Sequence, residues 1–186
     1  MTWLIVIVAL LIIIGPVMYL LPNRREKDQR SFRDAARAAG LTVELAQLYK
    51  IESEPHERVS AGGAIRVPKL PCARYGMAQS QPLSRFPEVH LVRGRTLPWQ
   101  ANPEFPGSGN SSLEGLIAPF LDRLPATSRG LSVTGSMLWL YWTEMPGEAR
   151  DNAVSIDEAR LQVEAIRDLL REVRAAVAEW HGRSVS

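Results

Sequence analysis

Cysteine and histidine are scarce in this chain of 186 residues, which contains one cysteine and three histidines. A single cysteine excludes a disulfide framework and agrees with a reducing compartment. His56, His90 and His181 do not lie at the spacings of metal ligands, and a metal site needs three or four converging donors. The sequence therefore predicts no metal site.

Motifs for nucleotide binding and acyl transfer are also missing. Residues 106–112, PGSGNSS, precede a predicted helix, but they lack the lysine of a phosphate loop and the Gly-x-Gly-x-x-Gly spacing. A Gly-x-Ser-x-Gly elbow is absent. Cys72 with His90 is the one conceivable thiol dyad, yet Cys72 lies in a predicted strand, where it is expected to be a small buried hydrophobe. No catalytic or cofactor-binding residue is predicted.

The excess of positive over negative charge lies in one short segment. The net charge is +2, and residues 24–39 contain six Lys or Arg against three Asp or Glu, so the rest of the chain is slightly negative. No basic stripe interleaved with aromatic residues is present, which argues against binding to nucleic acid.

Charged residues are absent from residue 3 to residue 21. As a helix this run would span roughly 28 Å, close to the hydrocarbon thickness of a bilayer. Membrane helices tolerate residues such as Gly15 and Pro16, and Trp3 and Tyr19 lie near the two ends, where aromatic rings favour the headgroup layer. The run predicts a retained transmembrane anchor, because a signal peptide would have a basic start and a small-residue cleavage site.

The basic residues after the run predict its orientation. Arg24, Arg25, Lys27 and Arg30 follow the apolar segment, no charged side chain precedes it, and positive flanks stay in the cytoplasm. We therefore expect a bacterial inner-membrane protein with its N-terminus outside and the remaining chain in the cytoplasm. The four basic side chains are predicted to contact lipid headgroups.

The segment MYLLPNRREKDQRSF, residues 18–32, resembles the start of the bacterial YajC family. That family comprises small accessory proteins of the Sec translocase, with one membrane helix, a basic exit and a cytoplasmic tail. The resemblance implies the same membrane orientation. Gly40, Leu41, Thr42 and Val43 stand where the family has a Gly-Asp-x-Val-x-Thr strand, so its aspartate is missing, and residues 88–180 have no counterpart in so small a family.

The spacing of apolar residues predicts three helices after the anchor. The first ends before Gly40, and the second is capped by Ser112 although it contains Pro119. The third opens with Ser155 three residues before Glu158, the spacing of a capping box. The predicted helices span residues 25–39, 112–124 and 157–180.

The last helix carries a continuous apolar stripe. We expect the stripe to pack on the protein's own sheet, and a coiled coil with a partner is the alternative. The stripe residues are Ile156, Ala159, Val163, Ile166, Leu170, Val173, Val177 and Trp180.

Short apolar segments between turn residues predict a mainly antiparallel sheet. In the first strand, Leu41, Val43 and Leu45 are expected to face the core. The run MLWLYW, residues 137–142, is apolar on both faces and predicts a central strand. Residues 96–111, rich in proline and glycine, are expected to form a long loop. The predicted strands span residues 41–51, 64–67, 72–78, 88–93 and 131–145.

Together these segments predict an α+β fold with one transmembrane helix at its start and a long helix at its end. The expected parts are an anchor (residues 1–23), a basic membrane-proximal helix (24–40) and a cytoplasmic domain (41–186). About 160 residues are enough for one domain with its own core.

The expected function is a non-catalytic accessory or interaction subunit of a membrane assembly, bound to the lipid bilayer and to another membrane protein. Two alternatives remain open. A pocket that joins His90, Glu144 and the loop of residues 96–111 would indicate an enzyme, and a pocket that contains Trp99, Trp139 or Trp142 would indicate a module for a small ligand or lipid.

Overall fold

The computed structural model describes Trp3 and residues 24–60, 62–144 and 154–185. Within these residues the chain forms three α-helices, six β-strands and one turn of 3-10 helix. In chain order they are α1 (Arg24–Ala38), β1 (Thr42–Tyr49), the 3-10 turn (Pro55–Arg58), β2 (Lys69–Ala78), β3 (Val89–Arg93), β4 (Trp99–Ala101), α2 (Ser111–Leu121), β5 (Ser128–Val133), β6 (Met137–Trp142) and α3 (Ile156–Val185).

The strands form one antiparallel sheet in the order β1-β2-β6-β5-β3-β4. Side chains alternate between the two faces of a strand, so each strand contributes to two different surfaces. One face packs against α1, α2 and α3 and contains the main core. We call the opposite surface the open face. Its small apolar cluster of Leu48, Cys72 and Val92 includes no residue from these helices.

Helix α1 ends as its sequence predicts. Gly40 has a φ of 81°, and the amides of Leu41 and Gly40 donate to the carbonyls of Ala36 and Arg37, at 2.9 and 3.0 Å. This Schellman motif favours glycine, which has no Cβ to clash in the left-handed region. Phe32 and Ala36 on the predicted apolar face are buried against the sheet.

Helix α3 confirms the prediction that its stripe packs on the sheet. Leu170 is fully buried, and the hydroxyl of Ser155 accepts the amide of Glu158 at 3.1 Å. One stripe residue was assigned wrongly: Ile156 is exposed, because it lies at the start of the helix, beyond the sheet.

Several strand predictions are wrong in detail. The predicted strand at residues 131–145 corresponds, in its described part, to two antiparallel strands, β5 and β6, because Gly135 and Ser136 make a hairpin turn between them. Residues 64–67 form no strand beyond an isolated bridge between Val59 and Ile65. The loop expected over residues 96–111 contains β4. The central position predicted for residues 137–142 is confirmed, but the cover that an apolar run predicts on both faces is not, since Trp139 and Tyr141 are half-buried on the open face.

Two local assignments also change. Asn110 caps α2 in place of Ser112, since its side-chain oxygen accepts the amide of Leu113 at 3.1 Å, and the helix continues through Pro119. Leu45 was predicted to face the core but is 75% exposed, because it lies at the edge of the sheet.

The membrane prediction needs correction. Among the residues that the structure describes, no helix has both the length and the apolar character to cross a bilayer. This finding contradicts the predicted inner-membrane location and single-pass topology. Of the predicted anchor residues, Gly15, Pro16 and Tyr19 lie outside the described residues, and Trp3 is exposed.

The predicted headgroup contacts are not tested by the structure. Arg24 and Arg25 begin α1, and Lys27 and Arg30 follow on its exposed surface. Contact between these four residues and lipid therefore stays a prediction.

Candidate functional site

A buried carboxylate lies where β6 ends. Glu144 is 1% exposed, and Arg33 of α1 donates to it from Nε at 2.9 and 3.1 Å and from Nη2 at 2.5 Å. The hydroxyl of Tyr75 donates a short hydrogen bond to the same carboxylate. Glu144 has a φ of 48°, a left-handed conformation that is rare outside glycine, asparagine and aspartate. The sequence indicated that this residue could be partly buried, and the structure buries it almost completely.

The contacts with Glu144 shift the pKa values of both donor side chains. The hydrogen bond that Arg33 donates to Glu144 raises the pKa of Arg33 above its usual value. Burial, followed by the charge of Glu144, raises the pKa of Tyr75 far above its usual value. Three hydrogen bonds from Arg33 and one from Tyr75 meet at the carboxylate, so this cluster ties α1 to the sheet.

His90 is held on the open face, away from Glu144. Its Nδ1 lies 2.9 Å from the hydroxyl of Ser132, its Nε2 lies 3.3 Å from Glu88, and its ring stacks on Phe105 with centroids 4.0 Å apart. Glu144 instead contacts α1 on the helical face. Among the described residues, the structure thus joins His90 to the loop of residues 96–111 through Phe105 and keeps Glu144 apart from both.

Cys72 is also separated from His90. Strands β6 and β5 lie between β2 and β3, which is about 14 Å across the sheet, and the register places His90 level with Gly76, four residues along β2 from Cys72. The thiol lies 3.7 Å from the carbonyl of Ala46, and burial raises its pKa to about 11. A thiol with so high a pKa is a poor nucleophile at neutral pH.

The three tryptophans named for a ligand pocket lie in different surroundings. Trp142 is buried in the core and donates to the hydroxyl of Thr127 at 2.6 Å. Trp99 packs against the edge of the same core. Trp139 lies half-buried on the open face with the guanidinium of Arg74 4.2 Å from its ring centroid. None of the three lines either of the two clefts described below.

The free edge of β1 was not recognised from the sequence. Strand β1 pairs with β2 over its whole length, and no described strand pairs with its other side. Leu45 is exposed in the middle of this edge, beside a cleft of about 650 Å³ that also contains Gln29, Arg33 and Pro71. The sequence did contain a signal for an unprotected edge, because β1 has one charged residue and no proline.

A second cleft, which we call the arginine cleft, lies where β1 and β3 end and β5 begins. It measures about 460 Å³, and its charged lining residues are Lys50, Glu52, Arg93, Arg95 and Arg129. The sequence placed Arg93 and Arg95 at the end of a strand but gave no sign that Arg129 would join them.

Glu52 organises the loop beside the arginine cleft. Its carboxylate accepts the amides of Arg95, Thr96 and Leu97 at 2.7, 2.8 and 2.9 Å, and the hydroxyl of Thr96 at 2.7 Å. These bonds, that from the Thr96 hydroxyl above all, lower the pKa of Glu52 to about 2. The segment expected to be an open loop is thus tied to the sheet at its start.

The described residues contain no group of three or more His, Cys, Asp or Glu side chains that could hold a metal ion. The fold and clefts define an α+β domain with one helical face, one open face and a free edge strand. No match to this chain appears among family models, curated proteins or solved structures. The resemblance of residues 18–32 to the YajC family therefore stays untested.

Proposed function

We propose that this protein is a non-catalytic interaction domain that binds an extended segment of a partner polypeptide along the free edge of β1. A sheet edge presents unpaired amide and carbonyl groups, and an added strand satisfies them. The observation that carries the proposal is Leu45, which is 75% exposed at the centre of this edge.

Strand β1 lacks the features that usually protect an edge. It has eight residues, contains neither proline nor lysine, and keeps an unbroken register with β2 from Thr42 to Tyr49. Its one charged side chain, Glu44, is bound by Arg74 of β2 at 2.9 and 2.5 Å. Such a strand can pair with an added strand without burying an unpaired charge.

The opposite edge of the sheet is short and has prolines close to both ends. Strand β4 has three residues, and Pro98 precedes it while Pro103 follows closely. Short strands and nearby prolines discourage pairing with a further strand. The contrast supports β1 as the binding edge.

The surroundings of Leu45 indicate the chemistry of the partner segment. A strand added to β1 would place alternate side chains above the cleft between α1 and β1, next to Leu45 and Pro71. Apolar residues at alternate positions would bury the exposed leucine, and polar residues between them would face the open side. The partner is therefore expected to carry an alternating apolar segment of about five residues, the usual length of a strand.

Selection of displayed random peptides on the full-length protein tests this proposal. We expect the selected peptides to alternate apolar and polar residues and to slow hydrogen exchange in Thr42–Tyr49 when they bind. Leu45→Lys should weaken binding by about tenfold or more, because it removes apolar contact and adds a charge. Leu161→Lys is the matched control, since Leu161 is similarly exposed but lies on α3.

Three results would contradict the proposal. Selected peptides could protect another part of the chain, or bind Leu45→Lys as tightly as the native protein. The free protein could also double its mass with concentration while β1 amides become protected, which would assign the edge to a second copy of this chain.

A further inference from the structure

The arginine cleft lies at the end of the sheet and has an excess of positive charge. Three guanidinium groups line it, from Arg93, Arg95 and Arg129, together with the ammonium group of Lys50 and one carboxylate, Glu52. Among the described residues, neither Arg93 nor Arg129 forms an ion pair with a carboxylate. Positive charges held close together in this way stabilise a bound anion.

Arg129 reaches the cleft because β5 is irregular at this residue. Ser128 pairs with Trp142 and Gly130 pairs with Tyr141, so Arg129 is an extra residue without a partner on β6. A bulge of this kind redirects a side chain out of the regular alternation of a strand. The guanidinium group donates from Nη1 to the carbonyl of Gly94 at 2.8 Å, which fixes its position.

Nearby negative charge is already committed to other groups. Glu52 accepts three backbone amides and the hydroxyl of Thr96. Glu57, which lies close by, is bound by Lys50 at 2.5 and 2.7 Å. Burial, followed by the charge of Arg93, lowers the pKa of Arg129, while the charge of Glu52 raises it and offsets part of this effect. A bound anion would relieve the remaining repulsion.

We propose that the arginine cleft binds a small organic molecule through a phosphate group, held by Arg93 and Arg129. Guanidinium groups present paired donors that match the oxygens of a phosphate, and a dianion balances more of the excess charge than a carboxylate does. Tyr49, Ile51 and Leu70 supply an apolar wall for the organic part. The two guanidinium groups lie outside the β1 edge that the proposed function uses, although Tyr49 ends that strand and Leu70 lines both clefts.

Titration calorimetry on the full-length protein, with inorganic phosphate, phenyl phosphate and benzoate as probes, tests the proposal. We expect saturable binding of both phosphates, with phenyl phosphate the tighter, and weaker binding of benzoate. Arg129→Gln should weaken phosphate binding by about tenfold or more, the usual effect of losing a hydrogen bond between charged groups. Arg171→Gln is the matched control, because it removes the same charge from the exposed surface of α3.

A folding defect is separated from a binding defect in two ways. The thermal midpoint of each variant is measured first, and Arg93→Gln, which leaves the bond to Gly94 intact, must also weaken binding. The proposal is overturned if neither phosphate binds saturably, if Arg129→Gln and Arg171→Gln have equal effects, or if benzoate binds as tightly as phenyl phosphate. Selected peptides should bind Arg129→Gln normally, so failure of either proposal is visible without the other.

Discussion

The guanidinium group of Arg33 holds the carboxylate of Glu144 across 111 residues of sequence, with Nη2 and Oε2 2.5 Å apart. Arg33 lies on the first described helix and Glu144 follows the last strand, so the contact joins α1 to the end of β6. It places a buried negative charge in the core and compensates it there.

Loss of Arg33 should destabilise the protein strongly. Arg33→Ala leaves the carboxylate of Glu144 buried with Tyr75 as its remaining partner, and we expect a loss of about 3 kcal/mol in the free energy of unfolding. Arg33 is partly exposed, which keeps the value at the low end for such pairs. Urea unfolding measures this loss in the free energy of unfolding. Arg37→Ala, one turn later on the exposed surface of α1, should cost no more than about 1 kcal/mol. Equal effects of the two changes would show that the buried pair contributes nothing.

Leu170 tests the packing of α3 on the sheet. Leu170→Ala should leave a cavity and lower the free energy of unfolding by about 2–5 kcal/mol, because the side chain is completely buried. Leu161→Ala on the same helix removes an exposed leucine and should change stability by about 0.5 kcal/mol at most. Thermal midpoints and molecular mass are measured together. An unchanged midpoint with a loss of oligomer would favour the coiled-coil alternative.

The loop held by Glu52 should respond to acid in a defined range. The folded-state pKa of about 2 lies below the usual 4.5, so the carboxylate's stabilising contribution is present above about pH 4.5 and is lost as the pH falls through 2. The amide resonances of Arg95, Thr96 and Leu97 should therefore titrate with a midpoint near pH 2. In Glu52→Gln the titration should be absent. A midpoint near 4.5 in the native protein would mean that the bonds to Glu52 are not formed in solution.

Gly76 is required by the position of Trp139 on the open face. A Cβ atom at residue 76 would lie 2.5 Å from the tryptophan ring, so Gly76→Ala must displace that ring from beneath Arg74. We expect a loss of about 1–3 kcal/mol, typical of overpacking, together with a change in tryptophan fluorescence. Gly115→Ala is the control, because nothing lies within 4 Å of its Cβ position, and it should stabilise α2 by about 0.5–1 kcal/mol. If both variants behave alike, the close contact is not present in solution.

Helix ends that are set by neighbouring residues in the chain were predicted correctly in two cases. The start of α3 follows from the hydroxyl of Ser155, and the end of α1 follows from Gly40. The hairpin between β5 and β6 was missed because apolar residues on both sides of Gly135 and Ser136 were taken as one strand. The short polar turn was the signal that could have divided them.

Neither candidate site could be derived in the same way. Leu45 fits the alternation of an inward-facing strand residue, and its exposure follows from β1 being the last strand of the sheet. Arg129 is redirected by a bulge that depends on the register of β5 with β6. Both are properties of strand order and pairing, which a single sequence does not display.

The sequence by itself determined the α+β class, the end of α1, the start of α3 and most of the apolar stripe of α3, because capping and periodicity act within one or two turns of the chain. The tertiary structure alone decided which polar groups meet. Glu144 finds Arg33 and Tyr75, and Arg129 finds Gly94, through the packing of distant elements. Charges and hydrogen bonds act over a few ångströms of space, whatever the separation along the chain.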